Sequence, residues 1–314
     1  MSNLIITTAV GYRPADIWTF LSSVERYCPS ATIVAIVHRC DVSKLQPCCE
    51  RFASLVLYPI ETPYKPLQFA QGLIPKLRRV LARIRTRLVV FLERCGWRLT
   101  FLDERPNHLG MSSQQLFILN RRFFLARKII RERLNAYSSV MLADSRDVVL
   151  QSDPFISMGS ELHTGKEYRV LGESPINAEW IRATYGEAGF QALKHKYVIC
   201  SGVTIGSAEA VLAYLDSFCD EVARYVCKVR THLVPIWDQA YHNYILHMSP
   251  PSALQLMPWN SDLSTVGEVP PEYLMIQKDG RVSVGSCVPS ILHQYDRHSS
   301  ATTAVALTYS SLNE

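Results

Sequence analysis

Two aspartates stand where an apolar run ends. In Ser138-Ser-Val-Met-Leu-Ala-Asp-Ser-Arg-Asp-Val-Val-Leu-Gln-Ser-Asp-Pro-Phe155, the run Val140–Ala143 stops at Asp144 and Asp147. A second apolar run, Val148–Leu150, then leads to a turn at Asp153-Pro154. This pattern reads as a buried strand handing acidic side chains to its carboxyl end, where open α/β sheets bind ligands. Carboxylates this close repel one another unless a cation lies between them. Mg²⁺ or Mn²⁺ is the usual cation, since these hard ions take carboxylate oxygens together with substrate phosphates. The competing reading is a plain turn, for which Asp, Ser and Asp-Pro are all suited.

Three later segments place polar groups beside apolar ones. Cys200-Ser-Gly-Val-Thr-Ile-Gly206 reads as a strand entered through a tight turn, with Gly202 letting the backbone approach a ligand because no Cβ intervenes. Trp237-Asp-Gln-Ala-Tyr-His-Asn243 opens a helix shortly after Pro235. There Asp238 is either a helix-start residue, worth about 1 kcal/mol, or, with Gln239, a group facing a ligand. In Leu292-His-Gln-Tyr-Asp-Arg-His298, His293 follows an apolar pair, and a neutral imidazole is a fair third ligand for Mn²⁺ beside carboxylates. His298 is the reserve ligand, and a merely solvated polar loop is the alternative.

The elements that must position these groups alternate between strand and helix. Leu4–Ala9, Thr32–Val37 and Ser54–Tyr58 read as strands; Asp16–Tyr27 and Val42–Phe52 read as helices, the second interrupted by Pro47. A βαβαβ opening implies parallel strands with right-handed crossovers. Gln114–Ala136 is the longest helical stretch and leads into the carboxylate strand. The predicted fold is α/β: a mostly parallel sheet flanked by helices, with residues 1–155 and 156–314 as two halves of one domain, the first for a ligand at the strands' carboxyl ends.

Composition bounds the class. The 314 residues are 48% hydrophobic and 19% charged, which suits a chain with a large core rather than a disordered one. A net charge of +5 is not that of a nucleic-acid binder. Nine cysteines without a CxxC pair read as free thiols in a reducing, cytoplasmic compartment. The amino terminus lacks the basic start and the length of apolar run of a signal peptide, and no apolar span of about 18 residues exists to cross a bilayer.

One stretch lies outside this scheme, a basic helical insertion at about 70–110. On a helix from Lys76 to Leu92, Leu77, Val80, Leu81, Ile84 and Leu88 form a stripe, and Arg78, Arg79, Arg83, Arg85 and Arg87 take the remainder. Such a helix either lies on an anionic membrane surface or packs its stripe inward and leaves the arginines in solvent.

Taken together, Leu142–Phe155, Cys200–Gly206, Trp237–Asn243 and Leu292–His298, behind a βαβ opening, resemble a GT-A-type nucleotide-sugar glycosyltransferase. The resemblance spans most of the chain. It implies a Rossmann-type sandwich that binds a nucleoside diphosphate sugar, with a UDP-sugar favoured, through Mn²⁺ or Mg²⁺, and passes the sugar to an acceptor hydroxyl on a saccharide or lipid-linked saccharide. The family's metal motif is Asp-any-Asp, whereas this chain has Asp144-Ser-Arg-Asp147. Aligned on the residues that follow, Asp147 takes the second, metal-binding position, and the first falls on Ser145 or on Asp144. Arg146 either pairs with the two acids or reaches a phosphate.

The same resemblance puts the end of the first strand, with Thr8, Val10 and Tyr12, under the nucleotide base. It leaves Arg121, Arg122 and Arg127 as groups for the diphosphate, of which Arg122 is the leading one. Six positions separate Arg121 from Arg127, so the three cannot share one helix face, and at least one is expected in solvent. It assigns Asp144 and Asp147 with His293 to the metal, and Asp238 and Gln239 to the reacting sugar. The Asp-Gln helix and late His are closer to the retaining, glycogenin-like branch. Two rivals stand: a sugar nucleotidyltransferase, which would carry a Gly-rich basic loop after the first strand, and a non-catalytic carbohydrate-binding protein on the same fold.

Overall fold

The computed structural model describes residues 2–61, 118–229 and 237–310; the basic stretch Lys76–Leu92 lies outside them. Strands β1 (Ser2–Thr8), β2 (Thr32–His38) and β3 (Leu55–Ile60) are joined by helices α1 (Pro14–Tyr27) and α2 (Val42–Arg51). Pro47 does not split α2, which runs through it. Its ring lies on the exposed side of the helix, where water can solvate the carbonyl left without a donor. Helix α3 (Ile118–Glu132) and a 3₁₀ turn at Leu134–Ala136 lead into β4 (Tyr137–Ala143).

The second half of the chain continues in the same sheet. After β5 (Val148–Leu150) and the short helix α4 (Pro154–Ser157) come β6 (Leu162–Val170), α5 (Pro175–Leu193), β7 (Tyr197–Ser207) and α6 (Ala208–Val229). Helix α7 (Asp238–Met248) is followed by β8 (Leu254–Met257), β9 (Leu263–Thr265), β10 (Leu274–Ile276), β11 (Val282–Val284), β12 (Ile291–His293) and α8 (Ser299–Ser310). The main sheet has seven strands in the order β3-β2-β1-β4-β7-β6-β8. All its pairings are parallel except those of β7, which runs against both β4 and β6.

Both faces of the sheet are covered, which is why its strands read as near-continuous apolar runs. Side chains alternate between the faces. Leu4, Ile6, Val140 and Leu142 pack under Phe123, Ile130, Tyr214 and Phe218 of α3 and α6. Ile5, Ile33, Met141 and Ala143 pack under Ile17, Phe20, Leu21 and Leu45 of α1 and α2. Phe123 and Phe218 stack with centroids 4.0 Å apart, tying the helix that precedes β4 to the helix that follows β7. Among the described residues, no helix is long and apolar enough to cross a membrane.

Two registers position the site. Because β7 runs against β4, its amino-terminal half meets the carboxyl end of β4: Ala143 lies opposite Val203, and the Asp144 N–H donates to the Gly202 carbonyl at 2.8 Å. A three-stranded sheet, β5-β12-β9, then sets His293 opposite Val148 and Thr265. The Gln294 N–H donates to the Asp147 carbonyl at 2.7 Å, so the acid and the histidine are held by one ladder.

Candidate metal centre and substrate cleft

Asp144, Asp147 and His293 each present one ligand atom within 4.8 Å of the others. Asp144 directly follows β4, Asp147 directly precedes β5, and His293 ends β12. The His293 ring is buried, and its Nε2 has no hydrogen-bond partner. That nitrogen lies 3.6 Å from an Asp147 carboxylate oxygen, too far for a hydrogen bond. Its other nitrogen, Nδ1, lies 3.3 Å from the Cys200 Sγ and 3.3 Å from the Thr265 Oγ1.

Burial disfavours charge on His293, but Cys200 and Asp147 outweigh it and raise the ring's pKa well above its ordinary value. Burial likewise works against ionising Asp147, yet His293 and Arg297 hold its carboxyl below the usual carboxylate range. A buried imidazole nitrogen without a hydrogen bond, close to two carboxylates, is a place that takes a cation: a proton on the ring, or a divalent ion that displaces that proton. One nitrogen and two carboxylate oxygens suit Mn²⁺ or Mg²⁺, with positions left for water or phosphate.

Gly202 belongs to this construction in a way that differs from the expectation of ligand approach. A Cβ built on it would lie 2.3 Å from His293 Cε1, 2.6 Å from Nε2 and 3.1 Å from Asp144 Oδ2. The space left by the missing side chain is filled by the histidine ring. Gly202→Ala is therefore expected to displace His293 and weaken Mn²⁺ binding about tenfold or more, as measured by calorimetric titration with Mn²⁺. An unchanged affinity would remove His293 from the ligand set. Directly after the histidine, Gln294 sits in the left-handed region (φ 58°, ψ 31°), the one non-glycine residue at positive φ among those described. Such strain clusters where neighbouring structure holds a site in place.

Arg122 on α3 is the second anchor. Its guanidinium donates to Asp144 and, at 2.6 Å, to Asp238 at the start of α7. Burial works against its charge, but the two carboxylates more than compensate and raise its pKa further. Burial pushes the Asp238 carboxyl up, against the pull of Arg122. Asp238 also accepts from the Gln239 N–H at 2.9 Å. Asp238 thus stands as an acid in the first turn of α7 with its carboxylate also held by Arg122.

Gln239 is held by the residues around it. Its amide nitrogen donates to Glu167 at 3.0 Å and to Asn177 at 2.9 Å. Both amide hydrogens are thereby used, and its oxygen accepts longer contacts, 3.4 and 3.3 Å, from the Ser201 N–H and hydroxyl. Burial, then Glu268, pushes the Glu167 carboxyl up to about 7. Glu167 and Asn177 were not among the residues expected from sequence. Glu167 sits in an ordinary alternating strand, and its partner lies 72 positions away, so no local spacing announces it.

These groups line a cleft of about 600 Å³ at the end of the sheet where β1 and β4 terminate. Thr8, Val10 and Tyr12 line it at and beyond the end of β1, Arg122 from α3, and Asp144, Arg146 and Asp147 beyond β4. Gly202, Asp238, Gln239 and His293 line it as well. Trp180 and Trp237 also line it and were not anticipated as site residues.

Other expectations are corrected. Ser145 is buried, its hydroxyl has no partner, and it is not among the lining residues; Asp144, one residue earlier, is the one grouped with Asp147 and His293. Arg146 is exposed and makes no ion pair with Asp144 or Asp147, whose cationic neighbours are Arg122, His293 and Arg297. Arg121 points away, donating to the Glu61 carbonyl at 3.1 Å, and Arg127 pairs with Asp216 at 3.5 Å; with side-chain exposure of 15%, Arg127 is not the solvated member expected. The His298 Nε2 lies 2.7 Å from the Val266 carbonyl, a structural bond outside the cleft. The described cysteines are free thiols.

Fold and site together define an α/β protein with a seven-stranded, mostly parallel sheet and a candidate Asp–Asp–His metal centre beyond the carboxyl end of its middle strand. Comparison with protein-family models and with curated proteins returned no match for this chain.

Proposed function

We propose that the protein is a metal-dependent glycosyltransferase of GT-A-like fold, moving a sugar from a nucleoside diphosphate sugar to an acceptor hydroxyl. The observation that carries the reading is the convergence of Asp144, Asp147 and the unpartnered His293 nitrogen in one open cleft. Charge builds on a departing diphosphate, and a divalent ion held by these three groups stabilises it when bound. Arg146 and Arg297, both exposed beside Asp147, suit the outer phosphate oxygens. Tyr12, beyond β1, suits the base.

At the reacting carbon the chain offers two groups. The Asp238 carboxylate is engaged by Arg122, which favours a role in holding sugar hydroxyls over that of a free base. Gln239 has spent its hydrogens on Glu167 and Asn177, so its oxygen, held only by the long contacts from Ser201, is the end that can turn to a carbon gaining positive charge. That pairing supports the retaining course, in which the departing phosphate itself takes the acceptor's proton.

The nucleotidyltransferase alternative is disfavoured by the first loop. The Gly11 N–H donates to the Asp41 carboxylate at 2.8 Å rather than standing free to cradle a phosphate. The test is a panel of nucleoside diphosphate sugars incubated with Mn²⁺. Slow release of the nucleotide from one member, abolished by EDTA, is the expected result. Failure of every member to bind or to be cleaved would overturn the reading.

A lipid-linked acceptor remains part of the proposal through Lys76–Leu92. Each basic residue near an anionic surface contributes about 1 kcal/mol, so five arginines would localise the protein reversibly. At low salt the protein is expected to sediment with anionic vesicles, and changing Arg78, Arg79, Arg83, Arg85 and Arg87 to Gln is expected to release it. Absence of sedimentation by the unaltered protein would dismiss the membrane contact.

A further inference from the structure

Two tryptophans at the far side of the cleft are unused by anything above. Trp180 comes from α5, and Trp237 immediately precedes α7. Their rings lie 5.1 Å apart between centroids and are inclined at 31°, forming a shallow angle rather than a closed stack. Both line the cleft, and Trp237 is 39% exposed. A large apolar ring left that open beside a polar site is a feature that asks for an occupant.

The surroundings define what the occupant is. Helix α7 packs on β7 and α5, whereas Tyr12 follows β1, so the metal ligands of β4 separate the tryptophans from the tyrosine. The exposed cations of the cleft, Arg146 and Arg297, accompany the metal ligands, and they are where an anion would go. Next to Trp237 stand Asp238, Gln239 and Ser201, which offer acceptors and a hydroxyl but no free positive charge. An indole face beside such groups matches a neutral ring with an apolar C–H face and a rim of hydroxyls, which is a pyranose.

We propose that Trp180 and Trp237 form the platform on which a neutral pyranose of the acceptor lies, with its hydroxyls turned toward Asp238 and Ser201. That the bound sugar is an acceptor rests on the transferase reading; that the platform takes a neutral saccharide rests only on the geometry and charge described. Trp237 contributes the exposed face, and Trp180 backs it and sets its inclination.

The test uses the full chain with UDP and Mn²⁺ present. Methyl glycosides of glucose, galactose and N-acetylglucosamine, with maltose and lactose, are titrated to their solubility limits. Tryptophan fluorescence and saturation-transfer NMR are recorded. At least one sugar is expected to give a saturable change. Trp237→Ala is expected to weaken it about tenfold and Trp237→Phe by much less, while the Kd for UDP with Mn²⁺, measured by calorimetry on the same variants, stays unchanged. No saturable change from any sugar, or an affinity unaffected by Trp237→Ala, would overturn the platform. Tryptophan-dependent sugar binding without UDP–Mn²⁺ binding would sustain it and defeat the transferase reading instead.

Discussion

Asp147→Ala is expected to lower nucleotide-sugar turnover by about a hundredfold or more while the protein remains folded. Asp147 is the acid closest to the unpartnered His293 nitrogen, and its loss removes the charge that would draw a divalent ion to that ring. Its place at the entrance to β5 is fixed by a backbone bond, from Gln294 to the Asp147 carbonyl, that alanine keeps. The thermal midpoint should therefore shift by a few degrees at most, and Mn²⁺ titration should show lost or greatly weakened binding. Turnover close to that of the unaltered protein, or turnover indifferent to EDTA, would dismiss the metal centre.

The largest effect on stability is expected from Arg122→Ala. The guanidinium is the shared partner of Asp144 and Asp238, and Asp238 is almost wholly buried. Its removal leaves two carboxylates facing each other without compensation. Breaking a buried ion pair by removing one partner costs about 3–5 kcal/mol, which for a chain of this size lowers the midpoint by roughly 10 °C. Adding Asp238→Asn to Arg122→Ala should recover a substantial part of the loss, because one of the stranded charges is then gone. A midpoint unmoved by Arg122→Ala would mean that the carboxylates are solvated and that the triad is not a structural unit.

Much of the frame was legible in the chain, and the reason is periodicity. Strands β1, β2, β3 and β4 and helices α1 and α2 bury one clear pattern each, so their extents read to within a few residues. Asp144, Asp147 and His293 were legible because each stands at the edge of an apolar run. The choice between Asp144 and Ser145 was not. It depends on a register: the Asp144 N–H extends the β4–β7 ladder by one bond, and alternation then turns Ser145 into the protein. Arg122 was favoured over Arg121 and Arg127 for a diphosphate, but that Asp144 and Asp238 engage its guanidinium was not legible, since those carboxylates arrive from the end of β4 and the start of α7. Trp180 and Glu167 were hidden for the same reason, being site residues only by virtue of what packs beside them.

One consequence follows from the small sheet in which β12 lies between β5 and β9. All the residues of the seven-stranded sheet, and both aspartates, are synthesised before the strand that carries His293. A nascent chain at that stage has two neighbouring acids, an arginine already shared with one of them, and no imidazole. The Asp–Asp–His group is thus complete only once β12 is seated between β5 and β9.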